Sequence, residues 1–404
     1  MVDEQQMIET SGCLAGDFGP VVAAMREYEA ETGRAAVNVS GWEVEDKQIA
    51  PPPTLVRRLR ALRPRLAGYA YARDFALAKQ QAAEVFGATI RHGGAPVTPE
   101  RVAILQNSTQ GLLLALCALK ERGVERVVVA APCYYAVAEV CRHLELAIEV
   151  VPARDFITGA LDSERIVRAM RGGRAALLLT NPAFSLGVEY GWETIRRLCA
   201  ALPYSAYVLL DETRLGLNWD TPLPWYAAEY SDQVVALRSP SKLFFLNGLK
   251  TSVLLGAPEV VRAVERLGDA LIGSSAGNGE AVALAYLDCW RDWLEEARTG
   301  RNGAMLQWRG GVVARLRRNR LVFTEALHGI GFTLSPVDSG PYMLAALPRH
   351  RMPRLDSRTL ARSAGVLLMD SSYFCHKSVE WVGFRVNLAG DAERMRDALL
   401  RLFE

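Results

Sequence analysis

Lysine and histidine are scarce in this 404-residue chain: histidine occurs five times, and the only lysines are Lys47, Lys79, Lys120, Lys242, Lys250 and Lys377, with arginine supplying the rest of the 47 basic side chains. A GC-rich genome accounts for such a bias. No block of like charge stands out either, because the 47 basic and 45 acidic residues are spread along the chain and leave a formal net charge of +2. Without a concentrated positive face there is nothing to grip a polyanion, so neither nucleic acid nor a membrane is an expected partner. No segment stays apolar long enough to span a bilayer. The start, with Asp3, Glu4, Gln5 and Gln6, lacks the basic stretch and apolar run of a signal peptide. Metal-ligand cysteine spacing is missing too: Cys13, Cys117, Cys133, Cys141, Cys199, Cys289 and Cys375 are odd in number, scattered and free of any CxxC. A reducing cytoplasm and no structural metal are the expectations that follow.

What is present is a globular composition, half of it hydrophobic, in a chain long enough for two domains. From about residue 100 to 260, short apolar runs alternate with amphipathic segments. Strands are expected at Val102 to Leu105, Arg126 to Ala130, Ile148 to Pro152, Ala175 to Thr180, Ala206 to Leu210, Val234 to Leu237 and Ser252 to Leu255. Helices are expected between them at 109–121, 134–144, 162–171 and 192–201. Continuous apolar strands separated by helices are what a mostly parallel sheet covered on both faces requires. A long helical stretch over 257–325 follows, then strands near 342–347, 365–369 and 382–388 and a helix from about 391, which reads as a smaller α+β domain. Pro51, Pro52 and Pro53 open a short helix at 54–63 that Pro64 ends. The expected organisation is an N-terminal segment, 1–70, packing with the small domain, a large α/β domain over 71–280 and the small domain over 281–404.

The strongest chemical signal is Ser239-Pro240-Ser241-Lys242, one residue past an apolar strand and followed by Asn247-Gly248-Leu249-Lys250-Thr251. A lysine just beyond a strand end can point into a cleft, and a desolvated lysine becomes an amine nucleophile able to form an imine with an aldehyde cofactor. Two hydroxyls and a second cation, Lys250, suit a phosphate. An ordinary surface turn holding one lysine is the competing reading. Asp211 closes Tyr207-Val208-Leu209-Leu210, at the carboxyl edge where open α/β sheets bind ligands. An anion there can keep a pyridine nitrogen protonated, although a turn or cap aspartate explains the residue equally.

Asn181-Pro182 ends another strand at that edge and offers an amide donor, or is only a turn. Asn107-Ser108-Thr109-Gln110-Gly111 begins a helix after Leu105, and its free N–H groups and hydroxyls make an anion site, unless Ser108 or Thr109 is simply an N-cap. Pro132-Cys133-Tyr134-Tyr135 follows the next strand with an aromatic ring that could stack on a heterocycle or merely pack. Arg385 lies inside the apolar strand Gly383 to Leu388, where a bidentate carboxylate, from a ligand or an internal acid, is its natural partner.

Taken in chain order, these pieces resemble the class I/II aminotransferases among the fold-type I pyridoxal-phosphate (PLP) enzymes, from about Val37 to the C-terminus. The resemblance implies an aspartate-aminotransferase-like fold: a large PLP-binding α/β domain and a smaller α+β domain. It implies PLP on Lys242 as a Schiff base, with Asp211 at the ring nitrogen, Tyr134 against the ring, and Ser108, Thr109, Ser239, Ser241 and Lys250 at the phosphate. Asn181 would border cofactor and substrate, while Arg385, with Gly41 and Trp42 of a pocket strand over 37–42, would bind the amino acid. Tyr69 or Tyr71 would be lent to a neighbouring subunit's phosphate, so the implied assembly is a homodimer with shared sites. Three departures stand out. Arg214 occupies the place of a tyrosine that bonds the cofactor's phenolic oxygen, Lys250 replaces an arginine, and Ala72 to Leu77 lacks the usual glycine. No second arginine for a dicarboxylic substrate is evident. The implied activity is transamination of an α-amino acid, and the alternative is non-transaminating PLP chemistry of specialised metabolism: elimination, γ-replacement, cyclisation or oxidation. A regulator with an aminotransferase-like domain would need a DNA-binding module, for which the segment before Val37 is too short.

Overall fold

Apolar runs become strands largely where their pattern puts them. The computed structural model describes residues 19–41, 48–63, 69–88, 96–221, 232–275, 278–352 and 355–403. Its strands are β1 (Val37–Asn38), β2 (Val102–Leu105), β3 (Arg126–Ala130), β4 (Ala147–Val151), β5 (Ala175–Thr180), β6 (Tyr207–Asp211), β7 (Val234–Arg238), β8 (Ser252–Leu255), β9 (Thr333–Leu334), β10 (Tyr342–Pro348), β11 (Val366–Leu367), β12 (Met369–Asp370) and β13 (Trp381–Asn387). Seven of them form one sheet in the order β2-β8-β7-β6-β5-β3-β4. All neighbours in it are parallel except at β8, which runs antiparallel to both β2 and β7. Strands β5 and β7 are buried at every position, which is why they read as unbroken apolar runs rather than as alternation. The edge strand β4 mixes exposed and part-buried positions.

The helical stretch expected over 257–325 divides into Pro258–Leu271, Gly279–Thr299 and Ala304–Ile330. Gly300, in the left-handed region at φ 68°, ends the second of these, as glycine readily does. Buried Glu296 then turns back and accepts the N–H groups of Met305 and Leu306 at 3.0 and 2.9 Å. A carboxylate at a helix N-terminus satisfies donors that have no partner inside the helix, so the break and the restart stabilise each other.

Beyond residue 330 the sheet order is β12-β13-β10-β9, all antiparallel. The single strand expected at 365–369 is two short ones, because β11 pairs in parallel with β1 while β12 pairs with β13. The helix Gly19–Thr32 packs on Ser357–Ala364 through Val21, Ala24 and Ala361. Among the described residues no helix is long and apolar enough to cross a membrane.

The loop after β5 meets the start of β10. Ser335 Oγ donates to Leu186 O at 2.8 Å, and Asp338 N to Gly187 O at 2.9 Å. Gly187 has φ 70°, and a β-carbon there would strike Tyr342 O, so only glycine serves. Beside it, Glu189 N donates to Asp338 Oδ1 at 2.8 Å and Asn218 Nδ2 to Glu189 Oε2 at 3.2 Å. Burial pushes the Glu189 carboxyl up from 4.5 to about 7, with Asp338 adding repulsion. A carboxyl whose folded value is raised costs stability as pH climbs from its unfolded value through its folded one. Glu189→Gln is therefore expected to be more stable than wild type at pH 8, by on the order of 2 kcal/mol after allowing for residual exposure, with the difference closing toward pH 4. Thermal melts across that range check this, and a variant less stable than wild type at pH 8 contradicts it.

Candidate active site

Parallel pairing sets Thr180 of β5 opposite Asp211 of β6, and Asp211 opposite Leu237 of β7. The ladder continues past the strand ends, with Asn181 N donating to Asp211 O and Glu212 N to Leu237 O, both at 2.9 Å. Three turns are thus held side by side at the carboxyl edge of the sheet.

The turn after β7 enters a short helix, Pro240–Leu243, with proline in its first turn. Ser239 and Ser241 fasten it: their hydroxyls lie 3.2 Å apart, and both donate to Thr251 O, at 3.3 and 3.1 Å. Lys242 follows, with Nζ 5.8 Å from the centre of the Tyr134 ring and donating to Thr213 Oγ1 at 3.3 Å. Asp211 accepts Thr213 N at 3.1 Å. Behind these turns, Arg238 donates through Nε and Nη2 to Glu212 Oε2 at 3.0 and 2.9 Å, and neither side chain is exposed. The Arg238 guanidinium also lies 4.7 Å over the Phe86 ring.

At the helix Ser108–Glu121, the capping residue is Asn107, whose Oδ1 accepts Gln110 N at 2.9 Å. Neither Ser108 nor Thr109 is the cap, which leaves both hydroxyls at the helix start, with Thr109 Oγ1 3.3 Å from Tyr134 OH.

These groups surround a cavity of about 480 Å³. Of the residues expected there, Ser108, Thr109, Tyr134, Asp211 and Arg214 line it, as do Ser239, Ser241, Lys242, Lys250 and Arg385. Arg385 is buried, with Nε donating to Ser40 O at 2.7 Å, Nη1 to Ser185 Oγ at 3.3 Å, and its guanidinium 4.5 Å from the Tyr342 ring centre. The Arg214 guanidinium lies 5.0 Å from the same ring, while its near neighbour in the chain, Glu212, is engaged by Arg238.

Two of the expected residues do not line the cavity. Asn181 does not line the cavity, because its amide is turned to the backbone of Tyr190, donating to the carbonyl at 3.3 Å and accepting the N–H at 2.8 Å. Gly41 is also outside it, held by Asn38 Oδ1 on its N–H and by Asn387 Nδ2 on its carbonyl. Tyr69, expected at a neighbouring subunit's phosphate, is 80% exposed and stacks on Tyr71. Trp42 lies outside the described residues. The sequence reading missed Phe184, Thr213 and Tyr342 as lining residues. Thr213 could have been found from its place beside Asp211, whereas Tyr342 reaches the site only through the pairing of β10 with β13.

The donor set fits PLP: one amine, one carboxylate across from it, an aromatic face, and hydroxyls with a cation at a helix N-terminus, where phosphate is stabilised. Among the described residues no group of acidic, histidine or cysteine side chains is arranged to hold a metal.

Residues 44–402 match the family model described as aminotransferase class I and II. The chain belongs to that family. Class I/II aminotransferases of this fold use PLP. Among similar proteins, a histidinol-phosphate aminotransferase of Gluconacetobacter diazotrophicus is 26% identical over 56% of this chain, and the match spans 57% of that relative's length. A probable aspartate/prephenate aminotransferase of Thermus aquaticus is 23% identical over 76% of this chain and 78% of its own. A double mutant of the Thermus thermophilus aspartate aminotransferase superposes with a TM-score of 0.76 at 20% identity, covering 96% of both chains. An Escherichia coli protein with a methionine aminotransferase function gives 0.72 at 16% identity, covering 96% of this chain and 98% of its own. These structural likenesses show the aspartate-aminotransferase-like fold.

The buried Arg238–Glu212 pair generates a stability prediction. Removing one partner strands the other charge in the interior, so Glu212→Gln is expected to cost about 3–5 kcal/mol, and adding Arg238→Met should recover most of the loss. Urea unfolding of the single and double variants measures both. A single-variant cost under about 1 kcal/mol, the worth of an exposed pair, contradicts the buried geometry.

Proposed function

We propose that the chain is a PLP-dependent enzyme that transfers the amino group of an α-amino acid to a keto acid, with Lys242 as the residue that holds the cofactor. The observation carrying this reading is that Lys242, Asp211 and Arg385, drawn from distant parts of the chain, line one cavity with Tyr134. When bound, PLP supplies an aldehyde that captures amines and a ring that takes up the electron pair released at the substrate's α-carbon.

The chain's own residues supply the rest. Lys242 provides the amine that first anchors the aldehyde and afterwards accepts and returns the substrate proton at Nζ. Asp211 provides a fixed carboxylate that keeps a facing ring nitrogen protonated. Tyr134 offers a flat face, and Ser108, Thr109, Ser241 and Lys250 offer hydroxyls and charge to the phosphate. Arg385 presents its guanidinium to the substrate carboxylate in a water-poor setting, where a bidentate pair is strong. Asn181 contributes through the loop it ties to Tyr190 rather than through its own amide.

Arg214 favours a second reading, in which the same residues serve elimination, replacement, cyclisation or oxidation, because it sets a permanent cation in the cavity at the position of a tyrosine. A homodimer with shared sites is supported by exposed Tyr69, Leu77 and Leu271. Ala70, next to that tyrosine, pairs with Ser275, which lines a second cavity together with Lys250. The free thiols Cys117, Cys133, Cys141, Cys199, Cys289 and Cys375 support a reducing, cytoplasmic setting.

The test is to add single amino acids to the PLP-loaded protein without a keto-acid acceptor and analyse the products by mass spectrometry. One keto acid released per site supports amino transfer. Ammonia, or repeated turnover without an acceptor, supports the second reading. Arg385→Ala is expected to raise KM for the reactive amino acid by on the order of a hundredfold, as loss of a buried charge pair should, and an unchanged KM removes Arg385 from carboxylate binding.

A further inference from the structure

Thr213, buried just past the end of β6, makes two bonds: its N–H donates to Asp211 Oδ1 at 3.1 Å, and its Oγ1 accepts from Lys242 Nζ at 3.3 Å. One residue thereby fixes the carboxylate through its backbone and the amine through its side chain. We propose that Thr213 is a positioning residue whose hydroxyl holds the Lys242 amine over the cavity whenever that amine is not bonded to the cofactor. This rests on the reading of Lys242 as the cofactor lysine.

The need for such a group follows from the side chain it serves. A lysine amine rides on a flexible four-carbon stem, and a proton transfer demands that its lone pair meet the substrate's α-carbon hydrogen within a narrow range of distance and angle. The Tyr134 ring bounds the amine on one side but, at 5.8 Å from its centre, gives no directional bond. The Thr213 hydroxyl does. Its own rotation is limited because threonine is stiff at χ1, and its backbone is tied to Asp211. Taking one N–H of Lys242 leaves the lone pair of the free amine to accept the substrate proton, which becomes a further N–H on Nζ.

The hydroxyl also biases protonation, since a hydrogen bond from an ammonium is stronger than one from a neutral amine. Asp211, Lys250, Arg214 and Arg385 line the same cavity, as do the phenols of Tyr134, Tyr135 and Tyr342. They all remain in a Thr213 variant, so comparing variants isolates the hydroxyl. Removing it should free more unprotonated amine at neutral pH while loosening its aim.

The experiment compares wild type, Thr213→Val and Thr213→Ser. Capture of PLP by the cofactor-free protein at pH 7 is followed by its visible absorbance, and steady-state turnover is measured with the reactive amino acid. Thr213→Val is expected to capture PLP several-fold faster yet turn over about tenfold more slowly with KM little changed, the loss of one bond to a charged group. Thr213→Ser should restore both. Opposite shifts in capture and turnover are not what general disorder produces. Turnover of Thr213→Val within twofold of wild type, a joint slowing of capture and turnover, or failure of Thr213→Ser to restore them overturns the proposal. Should Thr213→Val not fold, Thr213→Ala carries the same expectations. Wild-type protein that captures PLP elsewhere than on Lys242 overturns the underlying reading as well, and peptide mapping distinguishes that result from failure of the Thr213 role alone.

Discussion

The register across β5, β6 and β7, with Thr180 beside Asp211 and Asp211 beside Leu237, decides where the functional groups of the large sheet end up. A one-residue slip exchanges the two faces of a strand and would draw a strand-end charge such as Asp211 into the buried sheet, where an unpaired charge is costly. Asp211 then has one possible height above the sheet edge, and the turn bearing Lys242 starts at a fixed offset from it. The Arg238–Glu212 pair welds the two turns from beneath, without solvent on either partner. Its hydrogen bonds make it a specific clamp, because an ion pair in the interior is tolerated only in good geometry.

Charge explains why this edge suits an anionic cofactor and a substrate carboxylate. Lys242, Lys250, Arg214 and Arg385 line the cavity against Asp211 as the carboxylate among the described lining residues. The chain as a whole is close to neutral, so this positive field is local. The cations approach from different elements: Lys242 and Lys250 from either end of the β7–β8 connection, Arg214 from just past β6, and Arg385 from β13. A field assembled from elements so far apart in sequence depends on the contact between the loop after β5 and the start of β10, where Gly187 admits the close approach to Tyr342.

The central strands were legible because burial on both faces makes their apolar runs continuous, and β2, β3, β5 and β8 have the expected bounds. Residues immediately past strand ends, such as Asp211 and Lys242, could be identified for the same reason. What the sequence hid is side-chain direction within turns. Asn181 stands at the right edge, yet its amide closes on Tyr190, and nothing in an Asn-Pro pair tells a ligand-facing amide from a loop-bracing one. Tyr342 was hidden by distance, its place being set by strand pairing across the small sheet. The division of the helical stretch at Gly300 could have been read from glycine alone, but the capping by Glu296 could not.

All of this turns on Lys242 being the amine that meets the cofactor. Borohydride reduction of the PLP-loaded protein, followed by peptide mapping, tests it directly. A pyridoxyl group is expected on the peptide containing Lys242 and on no other lysine. A pyridoxyl group on Lys250 or Lys79 would contradict it.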